Sequence, residues 1–391
     1  MRLTRADWVR LLLLWLGGIC LRLTMLAVPP LIPLIHRDLH LDEKAVGALV
    51  ALPILVLALA SVPGSLLIAR LGVRGALVLG LGFIAVFSAL RGADSAPILF
   101  TATFLMGVGV AVSQPAFPTI AREWFPTKIA LATAAYSNGM IVGETLPVTL
   151  TTPVGVLPLA NGEWRWALAS WSILVIGSAV AIGIAAPGRG RRPGVRTRWW
   201  PTWLEGQALR IGLVIGMASA VYWGANAYIP DYLDQTGRHD LITPALVALN
   251  GAQLLTAPAV AVWDRLLTGR IGFIGSAALM GIAQIAIVLT PGPLVVVWAF
   301  VLGFSTALAF IVTLTLPPRL AAAGDVHRMS AAVFTIQYGT AFVVPLIAGA
   351  LWDASGLAVL AFIPGVASAA VMGWLALSLR IPSDSRPQER M

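Results

Sequence analysis

Charge is what this sequence has least of: Asp, Glu, Lys and Arg together fill only 11% of 391 positions. A water-soluble domain of that length carries roughly 25% charged residues. A chain this poor in charge cannot clothe a water-facing surface, so most of its exterior must meet lipid. Cysteine is scarcer still. The one present, Cys20, lies inside an apolar run, which excludes an intrachain disulfide and a cysteine-rich metal site. With four histidines in all, no metal site and no cofactor are expected. The sequence also lacks a phosphate-cradling G-x-x-x-x-G-K loop followed by Ser or Thr, so ATP does not drive it directly. Nothing resembles the nucleophile–base pair that an intramembrane enzyme would need.

What the chain does have is apolar length. Hydrophobic residues make up 58% of it, accompanied by 38 Gly and 26 Pro. Membrane helices tolerate that much Gly and Pro because neighbouring helices re-satisfy the freed backbone groups. A span needs roughly 20 apolar residues. By that measure twelve runs are predicted, at 8–35, 45–69, 73–92, 96–121, 129–157, 165–186, 207–230, 242–266, 271–290, 293–317, 329–351 and 357–379. The first is too long for a signal-peptide core and is read as a span.

The expected fold is therefore all-α and integral to the membrane, with twelve transmembrane helices in two six-helix bundles. The domains are placed at 1–186 and 207–391, joined by a basic linker at 187–206. That linker holds Arg189, Arg191, Arg192, Arg196 and Arg198, then Trp199, Trp200 and Trp203. Arginines suit a cytoplasmic surface and tryptophans the headgroup level, so membrane lipid is an expected partner. The net charge of +9 is not read as a nucleic-acid footprint, because the basic residues fall between apolar runs. With the N-terminus placed in the cytoplasm, 20 of the 26 Lys and Arg residues fall on the cytoplasmic side. The asymmetry predicts an inner-membrane protein with both termini in the cytoplasm. The working form is expected to be a monomer.

The segment after the second run contains Ser65, Ala69, Arg70, Gly72 and Arg74, and the one after the eighth contains Asp264, Arg265, Gly269 and Arg270. Both resemble the G-x-x-x-D-R-x-G-R signature of the major facilitator superfamily, in degenerate form. Within that superfamily the chain is similar to the cyanate-transporter-like branch, which includes nitroimidazole exporters. The residues that carry this likeness are Leu21, Arg22 and 28–33 in the first run, Phe125 to Lys128, Val344 to Gly349 and Trp352 to Gly356. The resemblance implies the major facilitator fold and a secondary transporter working by alternating access on a small anion or compact polar organic solute. A proton or exchanged ion is the implied co-substrate. The rival reading is a proton-coupled exporter of drugs or other toxic compounds. The resemblance also implies that Arg70, Arg74, Asp264, Arg265 and Arg270 gate the cytoplasmic side. Thr103 and Glu144 depart from antiporter patterns, which have arginine and proline there.

Two ionisable residues fall deep in a run. Arg22 lies fourteen residues past Trp8, about 21 Å of helix, and Glu144 sixteen past Lys128, about 24 Å. A charge at mid-span costs roughly 2.5–3.5 kcal/mol and needs a partner, a cavity or a ligand. Arg22 either holds the solute through its planar donor fork or pairs with Glu144. Glu144 either titrates during transport or completes that pair. Neutral candidates for the same pocket are Gln114, Tyr136, Asn138, Tyr222, Trp223, Asn226, Asn250, Gln253, Trp298, Gln337 and Tyr338. Each of these polar groups has a plainer alternative, a hydrogen bond between helices.

Overall fold

The computed structural model describes residues 3–28, 31–41, 43–151, 161–185, 199–203, 205–267, 269–322 and 325–379. Among them every element is helical. Ten helices are long and apolar enough to cross a membrane. The linker arginines, 189–198, lie outside the described residues, as do Pro29 and Pro30.

Helix α1 (Arg5–Leu26) opens with a capping box in which Thr4 and Asp7 exchange side-chain and backbone hydrogen bonds. The chain stops being helical before the two prolines and resumes as α2 (Ile32–Leu39), so the first apolar run is a broken span. The next two runs form α3 (Glu43–Leu90), interrupted at Gly72, where φ is 75°. That left-handed backbone is open to glycine at little cost, and it makes the signature glycine the joint between two spans.

Helix α4 (Ala96–Ser113) gives way at Gln114 and Pro115 to the short α5 (Ala116–Trp124). Pro118 causes no break, since it lies in the first turn of α5, where its missing N–H is no loss. Helices α6 (Ile129–Leu150) and α7 (Trp164–Ala185) follow.

The second half runs through α8 (Gly206–Gln235), then α9 (Ile242–Gly251), a 3-10 turn and α10 (Thr256–Val262), which together form one broken span. A single turn, α11 (Asp264–Leu267), precedes α12 (Arg270–Leu289). Helices α13 (Leu294–Leu314), α14 (Leu316–Leu320), α15 (Val326–Ser355) and α16 (Ile363–Ser378) complete the chain.

Two compact units emerge. The first comprises 1–202 with 323–338, and the second 203–322 with 339–391. In the first, α1 packs on α6 and α7, and α3 on α4 and α7. In the second, α12 packs on α13 and α16, α9 on α13, and α8 on α16 and α13. Large apolar side chains such as Trp166, Ile173, Ile184, Leu289 and Trp374 stay exposed, as lipid-facing helix surfaces require.

Candidate solute-binding site

The site begins with a seam that has no side chains. A Cβ on Gly18 would run into the Tyr136 carbonyl, one on Gly139 into that of Trp15, and one on Gly143 into that of Ile19. Glycine at these positions lets the backbones of α1 and α6 touch, the close approach that small residues four apart permit. Arg22 stands one turn beyond Ile19, and Glu144 directly follows Gly143. The seam therefore delivers the two charges to each other, with Arg22 Nε 3.3 Å from Glu144 Oε1.

Arg22 is also engaged from its other edge. Its Nη2 donates to the Tyr338 hydroxyl, and its Cζ lies 5.6 Å from that ring's centroid. Gln114 Nε2 donates to the same hydroxyl at 2.6 Å. Gln114 reaches this point because Pro115 ends α4 there. Phe334, one turn before Tyr338 on α15, stacks on its ring with centroids 6.4 Å apart.

Counting donors and acceptors shows what is left over. Arg22 and Gln114 both donate to the phenol oxygen, which leaves the phenol proton to be donated. Among the described residues, buried Gln114 Oε1 has no hydrogen-bond partner. A half-turn of the amide would let Tyr338 donate to Oε1 and would free Nε2 instead. In either arrangement the chain of groups from Arg22 through Tyr338 to Gln114 ends in an unsatisfied amide atom. Such a group, buried, costs about 1–3 kcal/mol unless something answers it. The cluster is a neutral charge pair, rich in donors, with unfilled hydrogen-bonding capacity.

The other sequence candidates are placed differently. Tyr136 is buried against Phe117, with ring centroids 5.5 Å apart. Asn138 accepts a hydrogen bond from Trp15 Nε1 at 2.9 Å, along the seam. Gln337 is buried beside Tyr338 in sequence.

In the second unit Tyr222 donates to Asn250 Oδ1 at 2.8 Å, Asn250 donates to Asn226 Oδ1 at 3.0 Å, and Gln253 approaches Asn250 at 3.4 Å. Trp223 packs edge-on against Tyr222. Trp298 is half-buried on α13 and joins neither group. Of the signature residues, Arg74 donates to the Gly183 carbonyl and so ties α3 to α7. Arg70 and Arg270 are exposed. Asp264 and Arg265 lie on α11, but their side chains fall outside the described residues.

One buried charge escaped the sequence reading, which counted two ionisable residues in the interior. Arg91, at the end of the run 73–92, is fully buried and donates to the Thr24 carbonyl at the end of α1. No sequence signal marked it, because it follows an apolar run as any loop arginine would.

The model of the Major Facilitator Superfamily matches residues 14–272. The chain belongs to this superfamily. Its relatives include the uncharacterized transporter YycB of Bacillus subtilis (strain 168), 25% identical over 364 residues, covering 90% of this chain and 89% of that protein. The 2-nitroimidazole transporter of Escherichia coli (strain K12) is 25% identical over 349 residues, covering 86% of each. The cyanate transport protein CynX of the same strain is 24% identical over 325 residues, covering 78% of this chain and 80% of that one.

Among solved structures, the superfamily proton:xylose symporter XylE bound to 6-bromo-6-deoxy-D-glucose aligns with a TM-score of 0.73 at 15% identity, covering 96% of both chains. FucP in its outward conformation aligns at 0.69 and 13% identity, covering 96% of this chain and 99% of its own. These likenesses are likenesses of fold. As a superfamily member, the protein is a multi-pass membrane protein and a secondary transporter of a small solute.

Proposed function

We propose that the transported solute is a small anion or a compact polar organic molecule with acceptor atoms, held by Arg22, Tyr338 and Gln114. The observation that carries this reading is the buried Arg22 beside a glutamine amide with unfilled hydrogen-bonding capacity. Two relatives are named for the transport of cyanate and of 2-nitroimidazole, solutes that have that chemistry, which is in keeping with this reading. An anion on Arg22 leaves the Glu144 carboxylate without its counter-charge, and a proton carried on Glu144 restores neutrality. The reading is therefore symport of an anion with a proton.

The same reading takes 1–186 and 207–391 as the two moving domains. Arg70, Arg74, Asp264, Arg265 and Arg270 act as a cytoplasmic gate, in a monomer of the inner membrane with both termini in the cytoplasm. Counterflow in proteoliposomes tests it. Labelled cyanate should exchange across the membrane with the wild type and not with Arg22→Gln. Exchange of organic cations that survives Arg22→Gln would support the exporter reading instead.

A further inference from the structure

Arg91 brings a positive charge into the interior of the first unit, and among the described residues no carboxylate pairs with it. Toward the described residues only Nη2 of its three nitrogens is used, donating to the Thr24 carbonyl and, at 3.4 Å, to Ser88 Oγ. Among the described residues, Nε and Nη1 are buried with no partner, and so is the hydroxyl of Thr24 itself.

The Thr24 carbonyl is one of the last four of α1, which have no acceptor role within the helix. The end of a helix carries about half a negative charge. That offsets part of the guanidinium and leaves the rest unanswered. A buried charge is ordinarily paired and its N–H groups satisfied. Water can fill the hydrogen bonds but supplies no counter-charge.

We propose that Arg91 and Thr24 hold a single small monovalent anion of halide size, bound by the unused guanidinium N–H groups and the Thr24 hydroxyl. This site is separate from Arg22, because residues two apart on a helix do not face each other. It is independent of which solute the protein carries. An anion there also fixes the end of α1 two residues beyond Arg22.

The test uses the purified full-length protein at constant ionic strength, with chloride or bromide titrated against gluconate. The thermal midpoint should rise and saturate with halide in the wild type and equally in Arg22→Gln. In Arg91→Met the halide dependence should vanish, and in Arg91→Lys it should need more halide. Should Arg91→Met fail to fold, bromide-soaked crystals of the wild type decide by anomalous scattering, with a peak expected in contact with Arg91. A wild-type midpoint indifferent to halide, meaning hydration only, overturns the proposal. So does a halide shift retained in Arg91→Met or lost in Arg22→Gln, and so does an Arg91 with no bromide peak.

Discussion

Arg22 and Glu144 face each other across the glycine seam at 3.3 Å, the guanidinium side chain 3% exposed and the carboxylate 15%. Glu144 keeps an open edge and Arg22 does not, so on the proposed reading Glu144 is the partner that swings away when a solute arrives. Removing one member of a buried pair costs about 3–5 kcal/mol, because the survivor is left uncompensated. The exposure of Glu144 puts Glu144→Ala near the lower end of that range. Replacing both, as Arg22→Met with Glu144→Leu, should recover most of the loss. Thermal unfolding of the two single variants and the double variant checks this. Strict additivity would mean that the charges do not stabilise one another.

Tyr338 links Arg22 to Gln114, and its hydroxyl is the only atom that Tyr338→Phe removes. Hydrogen bonds to charged groups contribute about 1.5–3 kcal/mol. If the solute uses this chain of groups, its affinity should fall by roughly one to two orders of magnitude, with the fold retained. Equilibrium binding measures it. An unchanged dissociation constant would reduce Tyr338 to a packing residue.

The seam makes its own prediction. Adding a methyl group at Gly139 or Gly143 forces α1 and α6 apart, and overpacking of this kind costs about 1–3 kcal/mol. Gly177 on α7 has nothing within 4 Å of where a Cβ would stand, so Gly177→Ala is the control. The seam variants should lower the thermal midpoint and weaken solute binding together, since both charges of the site hang from this contact. The control should do neither.

In the second unit Asn250 is the hub that Tyr222, Asn226 and Gln253 share. Side-chain hydrogen bonds between membrane helices average about 0.6 kcal/mol, so Asn250→Leu should cost roughly 1–2 kcal/mol in stability. Denaturation in detergent reads that value. A loss of transport far beyond the loss of fold would promote this network from helix glue to solute contact.

The fold was legible because lipid imposes two crude demands, length and apolarity, and both are visible in a string of letters. The pairing of Arg22 with Glu144 was legible as one of two alternatives, because a lone charge in a span needs an answer and two charges at equal depth can supply it. Tyr338 and Gln114 stood out only as members of a longer set of polar residues. What singles them out is a helix break at Pro115 and the rotation of α15 about its axis, neither of which composition reveals. Arg91 was missed because a span's last residue and a loop's first residue look alike in sequence, whereas the burial of its side chain depends on where α1 ends.

The most direct test of the central claim is solute binding to purified wild type, Arg22→Gln and the surface control Arg210→Gln, with labelled cyanate and 2-nitroimidazole as probes. The account predicts saturable binding of at least one probe to the wild type and the control, with affinity falling at least about tenfold in a folded Arg22→Gln protein, equivalent to ~1.4 kcal/mol. Undiminished binding to Arg22→Gln, or saturable binding of organic cations alone, would contradict it.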